Sequence, residues 1–179
     1  YRFRRLAEFE ASEARRLEMQ FSERGKMGAT DILNVVATLE EAGWIGTDTD
    51  GESVEPERLS ALVRAMSNLT AVDIFAEEMG PLELRNLSLS PSAVTLRLIG
   101  ETVGEKQGNP LAAVHIGKLY PGRGYLVRRG DSPEIFLIDA EGLTDVPISA
   151  AQYREEFRVD VERESSGGWL EEREALELP

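Results

Sequence analysis

Hydrophobic and polar positions alternate most regularly between Ala93 and Asp139. Val94, Leu96 and Leu98 alternate with Thr95 and Arg97, Val114 and Ile116 flank His115, and Leu126 lies between Tyr125 and Val127. Ile135, Leu137 and Asp139 alternate with Phe136 and Ile138, so this last run is apolar on both faces. Period two is the pattern of a strand, and clusters of Gly, Pro, Asn and Asp separate the four runs. Consecutive antiparallel strands joined by tight turns are therefore predicted. The doubly apolar run predicts a strand that is central or covered by a helix. Leu17, Met19 and Phe21 repeat the period-two pattern in residues 14–21, and residues 71–76 carry a short strand pattern with Val72 and Ile74 on one side.

Helical spacing takes over elsewhere. Leu59, Leu62, Val63, Met66 and Leu69 form one stripe behind Pro56, a residue suited to a first helical turn, and leave Arg58 and Arg64 facing solvent. Ser149 and Gln152 have capping-box spacing, and Ile148 and Tyr153 have the spacing of a hydrophobic staple, so a second helix is expected over 149–157. Residues 80–86 suit a short helical turn before Pro91. Residues 30–45 satisfy two patterns at once. Ile32, Val35, Val36 and Leu39 fit a helical stripe, whereas NVVATLE followed by Glu41-Ala42-Gly43 and Trp44-Ile45-Gly46 fits strand, turn and strand. VDVERE, after Arg158, has the pattern of one more strand; Ser165 to Gly168 is a flexible break before WLEEREALELP.

These elements give an α+β fold class, an antiparallel β-sheet of short strands and hairpins packed against a few helices. The domain is expected over residues 1–157, with two similar sub-units at about 1–76 and 77–157. Residues 158–179 then form a C-terminal strand or tail that starts a continuation.

Composition narrows the function classes. Of 179 residues 41% are hydrophobic, enough for a core. The formal charge is −13, from 20 basic and 33 acidic residues, which disfavours nucleic acid and anionic lipid surfaces as partners. There is no cysteine for a disulfide or thiol chemistry. No apolar run approaches the roughly 20 residues of a membrane span. The start at Tyr1 rather than Met leads us to expect a piece of a longer chain. Arg2, Arg4 and Arg5 fit either a juxtamembrane cluster after a missing N-terminal anchor or a plain polar start.

No catalytic, cofactor-binding or metal-binding residue is assigned, and no enzyme activity is expected. His115 is the only histidine, so it has no partner for a zinc site and no G-x-S-x-G elbow accompanies it. With Gly51 as position six of a calcium loop, Asp48, Asp50 and Glu57 fall on positions three, five and twelve. Gly46 stands where the first carboxylate belongs, so residues 46–55 are read as a solvated acidic turn. Gly122-Arg123-Gly124 lies between two strands with no helix behind it and is read as a hairpin turn.

The order of the motifs GPLELRNLSLSPSAVTLRL, LAAVHIGK, GYLVRRGDSPEIFLID and LTDVPISAAQYRE resembles the uncharacterised domain-of-unknown-function family 4340. The earlier GWIGTDTDGESVEPERLSALVRAMSNLTAVDIF is similar to that family's Trp, loop and helix unit. The resemblance implies a membrane-anchored accessory protein of an ABC-type transport system of the gliding-motility kind, with α+β units on the extracytoplasmic face of a bacterial membrane. It implies no catalytic residue and no cofactor. Its hairpin at Gly43-Trp44 favours strand, turn and strand over residues 34–46. A protein partner from the transport complex, or self-association, is the implied mode of action; the net charge of −13 and the many short strands point to contact through a sheet edge or an apolar patch. A free-standing ligand-binding or sensor module is the second class that the residues allow.

Overall fold

The structure, a computed structural model, describes residues 4–24, 29–101, 108–130 and 132–159. In chain order the strands are β1 (Arg4–Arg5), β2 (Arg16–Arg24), β3 (Thr30–Glu40) and β4 (Gly43–Asp48). Helix α1 (Pro56–Ser67) follows, then β5 (Thr70–Ala71), β6 (Asp73–Ala76) and helix α2 (Pro81–Asn86). Next come β7 (Val94–Ile99), β8 (Pro110–Tyr120), β9 (Gly124–Arg129), β10 (Ile135–Ile138) and helix α3 (Ala150–Glu156).

Eight of the strands form one antiparallel sheet in the order β4-β3-β2-β7-β8-β9-β10-β6, and β1 pairs separately with β5. The α+β architecture expected from the pattern is the one observed. Residues of both expected halves share this sheet, because β2 pairs with β7 and β6 pairs with β10.

Alternation fixes the register. Leu17, Met19 and Phe21 of β2 are buried beside Leu33, Val35 and Ala37 of β3 and Val94, Leu96 and Leu98 of β7. The same cluster takes Leu59, Leu62, Val63 and Met66 of α1 and Tyr153 of α3, so these helices cover one face of the sheet. A one-residue slip of β2 would turn its apolar set to the opposite face. At the β9–β10 end the other face is covered too. Leu126, Ile135 and Leu137 form a second cluster with Leu84 and Leu87 at α2, which explains a strand apolar at every position. β10 is thus covered on both sides and lies one strand from the edge.

The helical reading of residues 30–45 is overturned. Thr30–Glu40 is a strand whose buried residues are Leu33, Val35 and Ala37, whereas Ile32 and Val36 of the would-be helical stripe are exposed. The turn depends on Gly43, whose φ of +123° disfavours any side chain. Close packing fixes Gly46, where an added Cβ would stand 3.0 Å from the Ala37 Cβ and 3.3 Å from the Leu59 Cδ1. The single strand expected over 71–76 is split at Val72, whose N–H donates instead to the Leu137 carbonyl at 2.8 Å. In the expected C-terminal strand, Val159 donates its N–H to the Ser53 carbonyl at 3.0 Å; from Asp160 onwards that expectation lies outside the described residues.

Candidate functional site

Alternation along β4 puts Asp48 on the covered face with Trp44, although it opens an acidic loop. Its carboxylate is fully used. Oδ1 accepts from the N–H groups of Asp50 at 2.9 Å and Glu52 at 3.2 Å. Oδ2 accepts from the Tyr153 hydroxyl at 2.8 Å and from Arg158 Nε at 2.9 Å. The other end of the Arg158 guanidinium donates to Asp50 Oδ2 at 2.8 Å. Burial alone would raise the Asp48 carboxyl, but the hydrogen bonds from Arg158 and Tyr153 outweigh it and hold the group below the usual carboxylate range. Burial first, then Asp48, pushes the Tyr153 hydroxyl above the ordinary tyrosine value.

The reading of residues 46–55 as a solvated turn holds for the exposed residues 49–53 and is corrected at Asp48, which is 7% exposed. The carboxylates placed on calcium-loop positions three and five are committed to Arg158, and among the described residues no cluster of three or more acidic or histidine side chains suits a metal. Each oxygen of the Asp48 carboxylate accepts two hydrogen bonds from within the protein. The cluster clamps the end of α3 to the loop after β4, together with a 2.7 Å bond from the Glu55 N–H to the Phe157 carbonyl. Nearby, Arg154 holds Glu23 through two hydrogen bonds of 2.9 and 3.0 Å, a partly exposed pair that ties α3 to β2.

His115 lies on the opposite, uncovered face of the sheet, half-buried, with Nδ1 3.2 Å from the Thr95 hydroxyl oxygen. Gly122-Arg123-Gly124 is the β8–β9 turn, and Arg123 pairs with Asp73 at 2.8 Å.

Among the described residues, the uncovered face runs from β4 to β8, where Leu87 and Leu89 close over Gly117. One cross-strand row reads Val36, Glu18, Arg97 and Ala113, and the next reads Asn34, Gln20, Thr95 and His115. A shallow hollow of about 330 Å³ lies over β3, β2 and β7 in these rows. Apolar residues stand on the same face without cover: Ile45 is 55%, Ile32 53% and Val36 39% exposed. Sequence reasoning missed this surface. Its signal was the apolar Ile32 and Val36 on the polar side of β3, which the helical pattern absorbed.

Comparison with family models, with curated proteins and with solved structures finds no match for this chain. Among the described residues no helix is long and apolar enough to cross a membrane.

Proposed function

We propose that this chain is a non-catalytic contact module, the extracytoplasmic part of a membrane-anchored accessory protein of an ABC-type transport system. The observation that carries the contact reading is the uncovered sheet face with Ile32, Val36 and Ile45 exposed on it. Among the described residues, helices cover the β4–β7 region on one side only, and a face with exposed aliphatic side chains favours a protein contact over permanent solvation. The polar cluster with the most connections, around Asp48, is saturated and supports a structural role for itself. The transport setting and the extracytoplasmic location rest on the motif resemblance to family 4340.

The test is a pull-down from detergent-solubilised membranes with this chain as bait, at low and high salt. Recovery of a transporter subunit that survives high salt is the expected result, since a net charge of −13 provides no attraction to anionic surfaces. Capture of only nucleic acid or anionic lipid, lost as salt rises, would overturn it.

A further inference from the structure

We propose that residues 160–179 of this chain lie over the uncovered sheet face, with the Trp169 indole seated in the hollow between Val36 and Arg97, and that a partner binds there by displacing them. The inference names what regulates the face of the contact-module reading and rests on that reading for its consequence.

Position selects the occupant. One lateral row of the uncovered face reads Arg97, Glu18, Val36 and Thr47, on β7, β2, β3 and β4. Thr47 bridges in turn to Ser53, whose carbonyl accepts the N–H of Val159 at 3.0 Å. The described chain therefore ends on the row that holds the hollow, beside the outermost strand. At about 4.8 Å per strand, Val159 stands roughly 15 Å from Val36 and about 24 Å from Arg97. Extended chain from Val159 to Trp169 reaches about 33 Å. That length carries the indole round the β4 edge to the hollow and little further. A segment tied to the fold so close to the face meets it at an effective concentration in the millimolar range, which a separate molecule has to match.

Charge and shape agree with position. The twenty residues after Val159 hold seven acidic and two basic side chains. A chain of net charge −13 repels such a segment over most of its surface. On the uncovered face, however, Arg16 and Arg97 are exposed. Arg16 holds Glu18 at 3.0 Å, which leaves Arg97 with no ion pair among the described residues. Glu171 and Glu172, close behind Trp169, supply carboxylates for it. The hollow of about 330 Å³ has Val36 and Arg97 in its lining. It offers an indole ring an apolar side and a guanidinium, the pairing that a cation–π contact favours. Leu170, Leu176 and Leu178 then provide apolar cover for Ile32, Val36 and Ile45.

Disulfide trapping in the intact chain tests the proposal, because the sequence has no cysteine of its own. Val36→Cys with Leu170→Cys should oxidise to an intramolecular bond at micromolar concentration. Arg58→Cys with Leu170→Cys is the control. Arg58 is exposed on α1, over the other face, and lies three residues from Glu55, whose N–H bonds Phe157 beside the exit of the chain. The first pair should form about tenfold faster than the control, and Arg97→Glu or Trp169→Ala should each remove most of that advantage. Circular dichroism of each variant checks that the fold is intact. Equal rates for the two pairs, or a first pair indifferent to Arg97→Glu, overturn the seating, and a disulfide-linked dimer overturns it in favour of a second copy. In the membrane pull-down, the Trp169→Ala chain should capture the transport subunit severalfold better than the wild type. Capture by both chains to the same extent overturns the displacement. Trapping with no capture by either chain leaves the seating standing and removes the transport reading, whereas capture without trapping defeats this inference alone.

Discussion

Asp48 accepts four hydrogen bonds inside the protein, two from backbone N–H groups, one from Tyr153 and one from Arg158. A buried carboxylate is costly to desolvate, and the bonds offset that cost only while all of them are in place. Asp48→Asn should therefore lower the unfolding free energy by roughly 2–3 kcal/mol. Glu23→Gln, at the half-exposed pair with Arg154, should cost less than about 1 kcal/mol. Urea melts of both variants measure the contrast; equal losses would refute it. The pH dependence has a sign. Asp48 is held below its ordinary value, so its contribution is complete above the unfolded carboxylate value of about 3.9 and is lost as pH falls through the lower folded value. The gap in stability between the wild type and Asp48→Asn should close under acid. Tyr153 is shifted upwards, so its contribution is complete below about pH 10 and fades as pH rises beyond that. Tyr153→Phe should accordingly differ from the wild type at neutral pH and converge with it in strong alkali. A gap unchanged from pH 7 to acid, or from pH 7 to alkali, would mean that these groups do not titrate with folding.

Helix α1 was legible because local spacing and tertiary role agree. Leu59, Leu62, Val63 and Met66 form the stripe in the sequence and the packed face in the structure. Leu62→Ala should cost about 2–5 kcal/mol by the cavity it leaves, read in a urea melt; a change within error would place the helix outside the core. α3 was legible for the same local reason. Ser149 Oγ accepts from the Gln152 N–H at 3.1 Å, while Gln152 Oε1 reaches one residue further back than a capping box predicts, to the Ile148 N–H at 2.9 Å. Ser149→Ala should cost about 1 kcal/mol. Residues 30–45 were ambiguous because β3 carries aliphatic residues on both faces, so Ile32 and Val36 mimic a helical stripe that only the pairing with β2 and β4 excludes. The clamp was illegible for a different reason. Asp48 lies 105 residues from Tyr153 and 110 from Arg158, and no local pattern joins positions so far apart. The uncovered face needed the topology, since nothing in the period-two runs says which polar face meets solvent.

At the scale of the whole molecule, the two halves of the chain complete one sheet. β2 has its inner edge satisfied by β7, and β6 of the first half is the last strand beside β10 of the second. α3 crosses back as well, since Tyr153 stacks on Phe21 with ring centroids 5.1 Å apart and bonds Asp48. A fragment of residues 1–76 would keep the β2-β3-β4 meander and α1 but lose the strand that pairs β2, the ring over Phe21 and the partner of β6. A fragment of residues 77–179 would expose the edge of β7 and the apolar face of Val94, Leu96 and Leu98. Neither fragment should show a cooperative urea transition alone, whereas mixing them should restore one, because the missing surfaces are mutual. In the intact chain, Leu62→Ala in the first half and Leu137→Ala in the second should lower the midpoint of the same single transition. The checks are circular dichroism melts of the fragments, separately and mixed, and of the two variants followed by two probes. A sigmoidal transition from residues 1–76 alone, or two separable transitions in the intact chain, would show that the halves are independent folding units which merely share a sheet edge.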